Sequence, residues 1–220
     1  IPCQFSQIEC KDNAYYVTKG KYQGIYNLYG SVIIPTQYTS IYKEGGKYLV
    51  ENDSLKGIVN AYGSTVIPCK YNTIEYEDGV YYVSAGGKYG IYNTYGSTIL
   101  PCRYSSIRKE GRQYLVENNG LQGIVNTYGS TIIPCRYNKI QQEGNIYYVT
   151  ANGKKGIFNR YGSTIIPCQY DEIISLGHRY IVKRDKKFGV YNQYGSTILP
   201  CQFQKIECLN NGHYVTTRDK

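Results

Sequence analysis

Eight cysteines stand among the 220 residues, and six of them share one position. Cys3, Cys69, Cys102, Cys135, Cys168 and Cys201 each follow a proline, and Thr36 takes the same place after Pro35. Thiols can attack, bind metal or pair as disulfides, and the spacing weighs these against each other. A place that accepts threonine and recurs six times is not that of a catalytic nucleophile. No Cys-x-x-Cys pair occurs to hold zinc. One reading is a ladder of buried thiols acting as small apolar groups. The other is disulfides between neighbouring repeats, although Thr36 leaves a rung unpaired and adjacent strands rarely offer the separation required. Cys10 and Cys208 occupy a second slot, each after Ile-Glu, whose other copies are Lys43, Tyr76, Lys109, Gln142 and Ser175. They are candidate exposed thiols for intermolecular links, the alternative being a sequence pattern without any pairing.

A second constellation follows the cysteines. The next residue reads Gln4, Gln37, Lys70, Arg103, Arg136, Gln169 and Gln202, each preceding Phe or Tyr. Lys70, Tyr71, Arg103, Tyr104, Arg136 and Tyr137 thus form a strip of cations interleaved with aromatics, suited to an anionic glycan or a stacked sugar or base. Like charges on adjacent rungs repel by about 1 kcal/mol per pair in water. Acidic neighbours such as Glu75 and Glu77, solvation or an anionic ligand must offset that. Histidine is limited to His178 and His213. There is no Ser-His-Asp arrangement, no His-Glu-x-x-His and no phosphate loop. Every recurring polar residue has a turn or surface explanation, so the chain is expected to be no enzyme and to need no cofactor or metal.

The elements that carry these residues are written in the prolines. Pro2, Pro35, Pro68, Pro101, Pro134, Pro167 and Pro200 fall 33 residues apart without an insertion. A fixed period of this size marks a solenoid, propeller or array. The chain is expected to be one tandem array over 1–220, with six full repeats plus a partial one, truncated at both ends. Each repeat offers three strand candidates, for example "GIYN" (90–93), "STILPCRY" (97–104) and "YYV" (81–83). The first two are joined by Asn-x-Tyr-Gly, a type I turn with glycine at the residue that must adopt positive φ. Asn-Gly pairs, as in "ENNGLQG", join the third strand to the next repeat. One such unit has too few apolar side chains to fold alone, so neighbours must stack.

A longer rhythm overlies the first. Tyr16, Leu49, Tyr82, Leu115, Tyr148 and Ile181 alternate in size, as do Tyr26, Val59, Tyr92 and Val125. Placing Tyr16 opposite Tyr26 and Leu49 opposite Val59 would layer large pairs against small ones. An alternating pattern does not close on an odd ring. The expected fold is therefore all-β: 33-residue antiparallel hairpin repeats stacked as an open solenoid, with propeller-like closure as the alternative.

In this order of elements the units resemble WG repeats, a bacterial family that reads Gly-Lys-Trp-Gly, a turn ending in Gly, Ile-Pro and Tyr-Asp-x-Ile. "GGKYGIYNTYGSTILPCRYSSI", "KKFGVYNQYGSTILPCQF" and "IIPCQYDEI" carry the likeness, which covers the whole chain. The Trp slot departs from it: Gln23, Lys56, Tyr89, Gln122, Lys155 and Phe188 stand there, and the chain has no tryptophan. What the resemblance implies is a β-repeat array that binds or scaffolds.

Three functional classes fit the sequence to different degrees. A structural or interaction array, a stalk or fibre segment that binds proteins or self-associates, agrees best with the strict period. A carbohydrate- or polyanion-binding module using the Lys70–Arg136 strip is the alternative. An enzyme needs one place unlike the others. The net charge of +9 is spread over all repeats, favouring solubility rather than specific nucleic-acid binding. No apolar run is long enough for a transmembrane helix, and no signal peptide is visible at "IPCQFSQIEC". The cysteine content tilts the location towards the cell exterior or surface.

Overall fold

The computed structural model describes residues 4–208 and 214–217. Within them every regular element is a β-strand. The strands form consecutive four-stranded antiparallel meanders: sheet 1 (7–38), sheet 2 (40–71), sheet 3 (73–104), sheet 4 (106–137), sheet 5 (139–170) and sheet 6 (172–203). A pair, Lys205–Cys208 and Tyr214–Thr217, follows. The chain divides into two compact units, Ile1–Ile107 and Arg108–Lys220, with the first strand of sheet 4 at the division.

Each sheet contains one strand more than the three read from sequence. In sheet 2 the strands are Ser40–Glu44, Lys47–Asn52, Leu55–Asn60 and Thr65–Tyr71. The additional element is the first, which in other sheets reads "TIEYE" and "KIQQE". It is an edge strand with charged residues along it, so it lacks the alternation that marks a half-buried strand. The Lys and Glu guard its open side against pairing with another chain. The prolines lie in the opposite edge strand, where a missing N–H breaks no ladder.

The register also differs by one residue from the expected pairing. Tyr15, not Tyr16, faces Tyr26, and Tyr48 faces Val59. Two-residue turns set this register, since Lys19 pairs with Tyr22 and Asn118 with Leu121. Both central residues take positive φ, as Asn119 (52°) and Gly120 (73°) or Asp53 (48°) and Ser54 (66°) show. That is the turn whose twist matches a hairpin.

Packing occurs between sheets. Ile25, Ile34 and Tyr38 of sheet 1 form one core with Ile41, Tyr48, Val50 and Val59 of sheet 2. Ile58, Ile67 and Tyr71 of sheet 2 join Tyr81, Val83 and Tyr92 of sheet 3. In the second unit sheets 4 and 5, and sheets 5 and 6, share equivalent cores. The large members of this slot, Tyr92, Phe158 and Tyr191, set their rings edge-on against Tyr71, Tyr137 and Tyr170 of the preceding sheet, and Phe158 and Tyr191, in consecutive sheets, break the size alternation. A single residue links consecutive sheets and caps the next hairpin. Asn138 accepts from Asn152 N at 2.9 Å, and Asp171 from Asp185 N at 3.0 Å.

Candidate interaction surface

The cation strip resolves into intramolecular contacts. Lys70 Nζ lies 5.5 Å from the Tyr71 ring centre, while the Arg103 and Arg136 guanidinium carbons lie 5.2 Å from Tyr104 and 5.4 Å from Tyr137. Arg103 and Arg136 also donate to the hydroxyls of those tyrosines at 3.2 Å. The rings themselves are core residues, 3%, 5% and 2% exposed for Tyr71, Tyr104 and Tyr137. Each cation covers the outer rim of a buried phenol. Gln169 reaches the Tyr170 hydroxyl at 3.1 Å in the same way, so glutamine can stand in this slot in place of a basic residue.

The ladder cysteines among the described residues are free thiols, half-buried. Their sulfurs donate to the carbonyl fourteen residues earlier: Cys69 to Leu55 at 3.0 Å, Cys135 to Leu121 at 2.9 Å and Cys168 to Lys154 at 3.1 Å. Burial pushes the Cys69, Cys168 and Cys201 thiols up, away from the reactive thiolate. Cys10 is exposed on the first strand of sheet 1. Cys3 and the side chain of Cys208 lie outside the described residues. Among those described, no group of three His, Cys, Asp or Glu is placed to hold a metal ion, and no helix is long and apolar enough to cross a membrane.

The Trp slot is occupied by structure in two units. Gln23 and Gln122 use their side-chain oxygens to accept from Ile41 N at 3.1 Å and Ile140 N at 2.9 Å. Each of these bonds ties one sheet to the first strand of the next.

What the sequence reading passed over is the tyrosine of Asn-x-Tyr-Gly. Tyr29, Tyr62, Tyr95, Tyr128, Tyr161 and Tyr194 project from the turn between third and fourth strands, between 71% and 94% exposed. Their backbones are tightly held. Asn60 Oδ1 accepts from Tyr62 N at 3.0 Å and Ser64 N at 2.9 Å, and Gly63 N donates to Asn60 O at 3.0 Å. The same set recurs in the other turns. Four of these turns also rest on the preceding sheet: a Cβ on Gly63 would lie 2.0 Å from Ile33 O and one on Gly96 2.2 Å from Val66 O, and Gly162 and Gly195 repeat the approach in the second unit. Glycine is required there for the approach as well as for its φ of 86° and 89°. A type I turn accepts most residues at its third position. A tyrosine recurring there is therefore unexplained by folding, and that was the available signal.

The family model described as "WG containing repeat" matches residues 57–89 and 188–217. No curated protein matches the sequence. Among solved structures, Kluyveromyces lactis Hsv2p is similar at 13% identity, over 86% of this chain and 73% of its own, with a TM-score of 0.27. The WD40 β-propeller domain of Doa1 is similar at 11% over 97% and 92%, also at 0.27. PorZ of Porphyromonas gingivalis is similar at 6% over 99% of this chain and 38% of its own, at 0.28. Superpositions at these scores carry nothing further to this chain.

Proposed function

We propose that this chain, which belongs to the WG-repeat family, is a non-enzymatic interaction array that binds other proteins through one exposed tyrosine turn per repeat. The carrying observation is the exposure of Tyr29, Tyr62, Tyr95, Tyr128, Tyr161 and Tyr194 on turns whose backbones are fixed. A rigid aromatic ring in contact with water offers area and a hydroxyl at little entropic cost on binding. Asn, Tyr, Gly and Ser are also the residues that antibody binding loops favour, for this reason. One weak contact per repeat becomes strong binding when several engage a single partner. The charged edge strands favour docking on the turns over strand addition. The polar residues that recur elsewhere are engaged in turns, caps and ring contacts, which is the support for a role without catalysis.

The test is capture of a partner by the immobilised chain, against a variant with all six turn tyrosines changed to serine. A partner identified by mass spectrometry that is held by the wild type and lost by the equally folded variant supports the reading. Equal capture by both overturns it. The same rings can stack on sugars, so a glycan array run on both chains decides between a protein and a carbohydrate partner.

A further inference from the structure

One place in the first unit differs from its equivalents. Between sheets 2 and 3 lies a cleft of about 460 Å³ whose floor is Leu49 and Ile58 and whose wall is Tyr76 and Tyr81. The two rings are 4.9 Å apart and tilted by 49°. Tyr81 is buried, while Tyr76 is 60% exposed at the rim. Gly45 and Gly46 form the mouth and bring no side chain across it. Lys47, half-buried, stands beside the rings: its ammonium donates to Thr94 O at 2.7 Å and Tyr81 OH at 3.1 Å. Two bonds fix the group, and an ammonium has a third donor.

Equivalent positions elsewhere are crossed by polar bridges or filled, and the space between sheets 1 and 2, lined by Lys11, Asp12, Tyr16 and Lys43, stays open beside such a bridge. Between sheets 1 and 2, Asp12 replaces Gly45 and Lys43 replaces Tyr76, and the two form an ion pair at 3.3 Å. Between sheets 4 and 5, Gln113 replaces Lys47 and Gln142 replaces Tyr76, and they are hydrogen-bonded at 2.8 Å, with Tyr147 donating to Gln113. Between sheets 5 and 6, Ile146 and Tyr148 pack into the core with Tyr180. Between sheets 2 and 3, neither an ion pair nor an amide bridge joins the equivalent residues.

We infer that the cleft between sheets 2 and 3 binds a small aromatic or branched-chain monocarboxylate, with Lys47 holding the carboxylate and Leu49, Ile58 and Tyr76 the apolar end. An ammonium already positioned and partly desolvated favours a carboxylate over a neutral polar group. The floor and rings suit an apolar body, as small-molecule sites generally combine such a lining with few placed polar groups. Glu44 at the rim opposes a second negative charge on the ligand. The site is independent of the turn tyrosine side chains.

The probe is 3-phenylpropionate, with 3-phenylpropanamide as its neutral counterpart, titrated into the whole chain by ligand-observed NMR. Saturable binding is expected with Kd on the order of 0.1–1 mM, and at least about tenfold weaker binding of the amide. Lys47→Gln and Tyr76→Gln, which install the residues of the second unit, should each weaken 3-phenylpropionate at least about fivefold. Tyr76 is exposed, so its variant carries the test if Lys47→Gln alters the fold by circular dichroism. The chain with six serine turns should bind the probe as the wild type does, which separates this site from the partner surface. No saturation by about 10 mM, equal binding of the amide, or unchanged affinity in Tyr76→Gln overturns the assignment.

Discussion

A Cβ on Gly57 would stand 2.7 Å from both the backbone nitrogen and the Cα of Cys69. The cause is a bulge: Lys56 pairs with Tyr71 and Ile58 with Ile67, so the Pro-Cys segment of the edge strand arches over the glycine. Gly90, Gly123, Gly156 and Gly189 stand under Cys102, Cys135, Cys168 and Cys201 in the same way. The atoms met are backbone and cannot turn aside. Gly57→Ala is therefore expected to cost at least about 2 kcal/mol. Gly46→Ala, where nothing lies within 4 Å, should stay within about 0.5 kcal/mol of wild type. Urea denaturation of both variants checks this, and equal midpoints would refute the steric account.

Thr36 occupies the ladder position in sheet 1, and its hydroxyl is buried with no hydrogen-bond partner. The cysteines at this place each send a proton to a carbonyl, as Cys69 does to Leu55. An unmet buried hydroxyl costs about 1–3 kcal/mol. Thr36→Cys should recover part of it and raise the melting temperature by about 2–4 °C, the shift that about 1 kcal/mol gives a chain of this size. A calorimetric melting temperature below that of wild type would show that the threonine is better accommodated than its missing partner implies.

Much of the fold was legible because the repeat wrote it several times. The proline spacing, the Asn-x-Tyr-Gly hairpin and the need for inter-repeat packing all appear in the structure. The first strand of each sheet was missed because "TIEYE" and "KIQQE" turn only their isoleucine towards a core and carry no apolar alternation. The register was missed by one residue because it depends on two-residue turns, and Asp53 and Ser54 take positive φ without a glycine to announce it. Tyr71, Tyr104 and Tyr137 read as a ligand strip from sequence; their burial depends on the fold, since Tyr71 and Tyr137 end strands whose last side chain points into the core shared with the next sheet. The cleft beside Lys47 depends on Lys47 of one sheet meeting Tyr76 of the next, which one chain without its fold does not reveal.

Tyr170 and Tyr191 join their hydroxyls at 2.7 Å, and Tyr71 and Tyr92 at 2.6 Å. Burial first, then the bond to Tyr191, holds Tyr170 in its neutral form and pushes its pKa up to about 12. Tyr71 moves in the same direction for the same reasons. Their contribution to stability is complete below the ordinary phenol value of about 10 and disappears as pH climbs through the folded-state value. Between about pH 10 and 12 the chain should lose stability steadily. Tyr170→Phe should flatten that loss, since it removes the ionising group. Melting temperatures measured across this window test it; a slope unchanged in Tyr170→Phe would mean that other groups govern the alkaline transition.

Cys10 and the ladder cysteines should separate by reactivity. The thiolate is the attacking form, and both exposure and a low pKa promote it. Cys10 is exposed, whereas Cys69, Cys168 and Cys201 are half-buried, with pKa values raised by burial. At pH 8, iodoacetamide should modify Cys10 at least about tenfold faster than these three. Peptide mapping over a time course gives each rate. The ladder should react at comparable speed only once urea opens the sheets. Chains alkylated there should then fail to refold, because each ladder sulfur is half-buried against a carbonyl, 3.0 Å from Leu55 O at Cys69 and 3.1 Å from Lys154 O at Cys168, and an added group displaces that contact. Refolding of a fully alkylated chain with native circular dichroism would mean that the surroundings of the ladder sulfurs accommodate an added group.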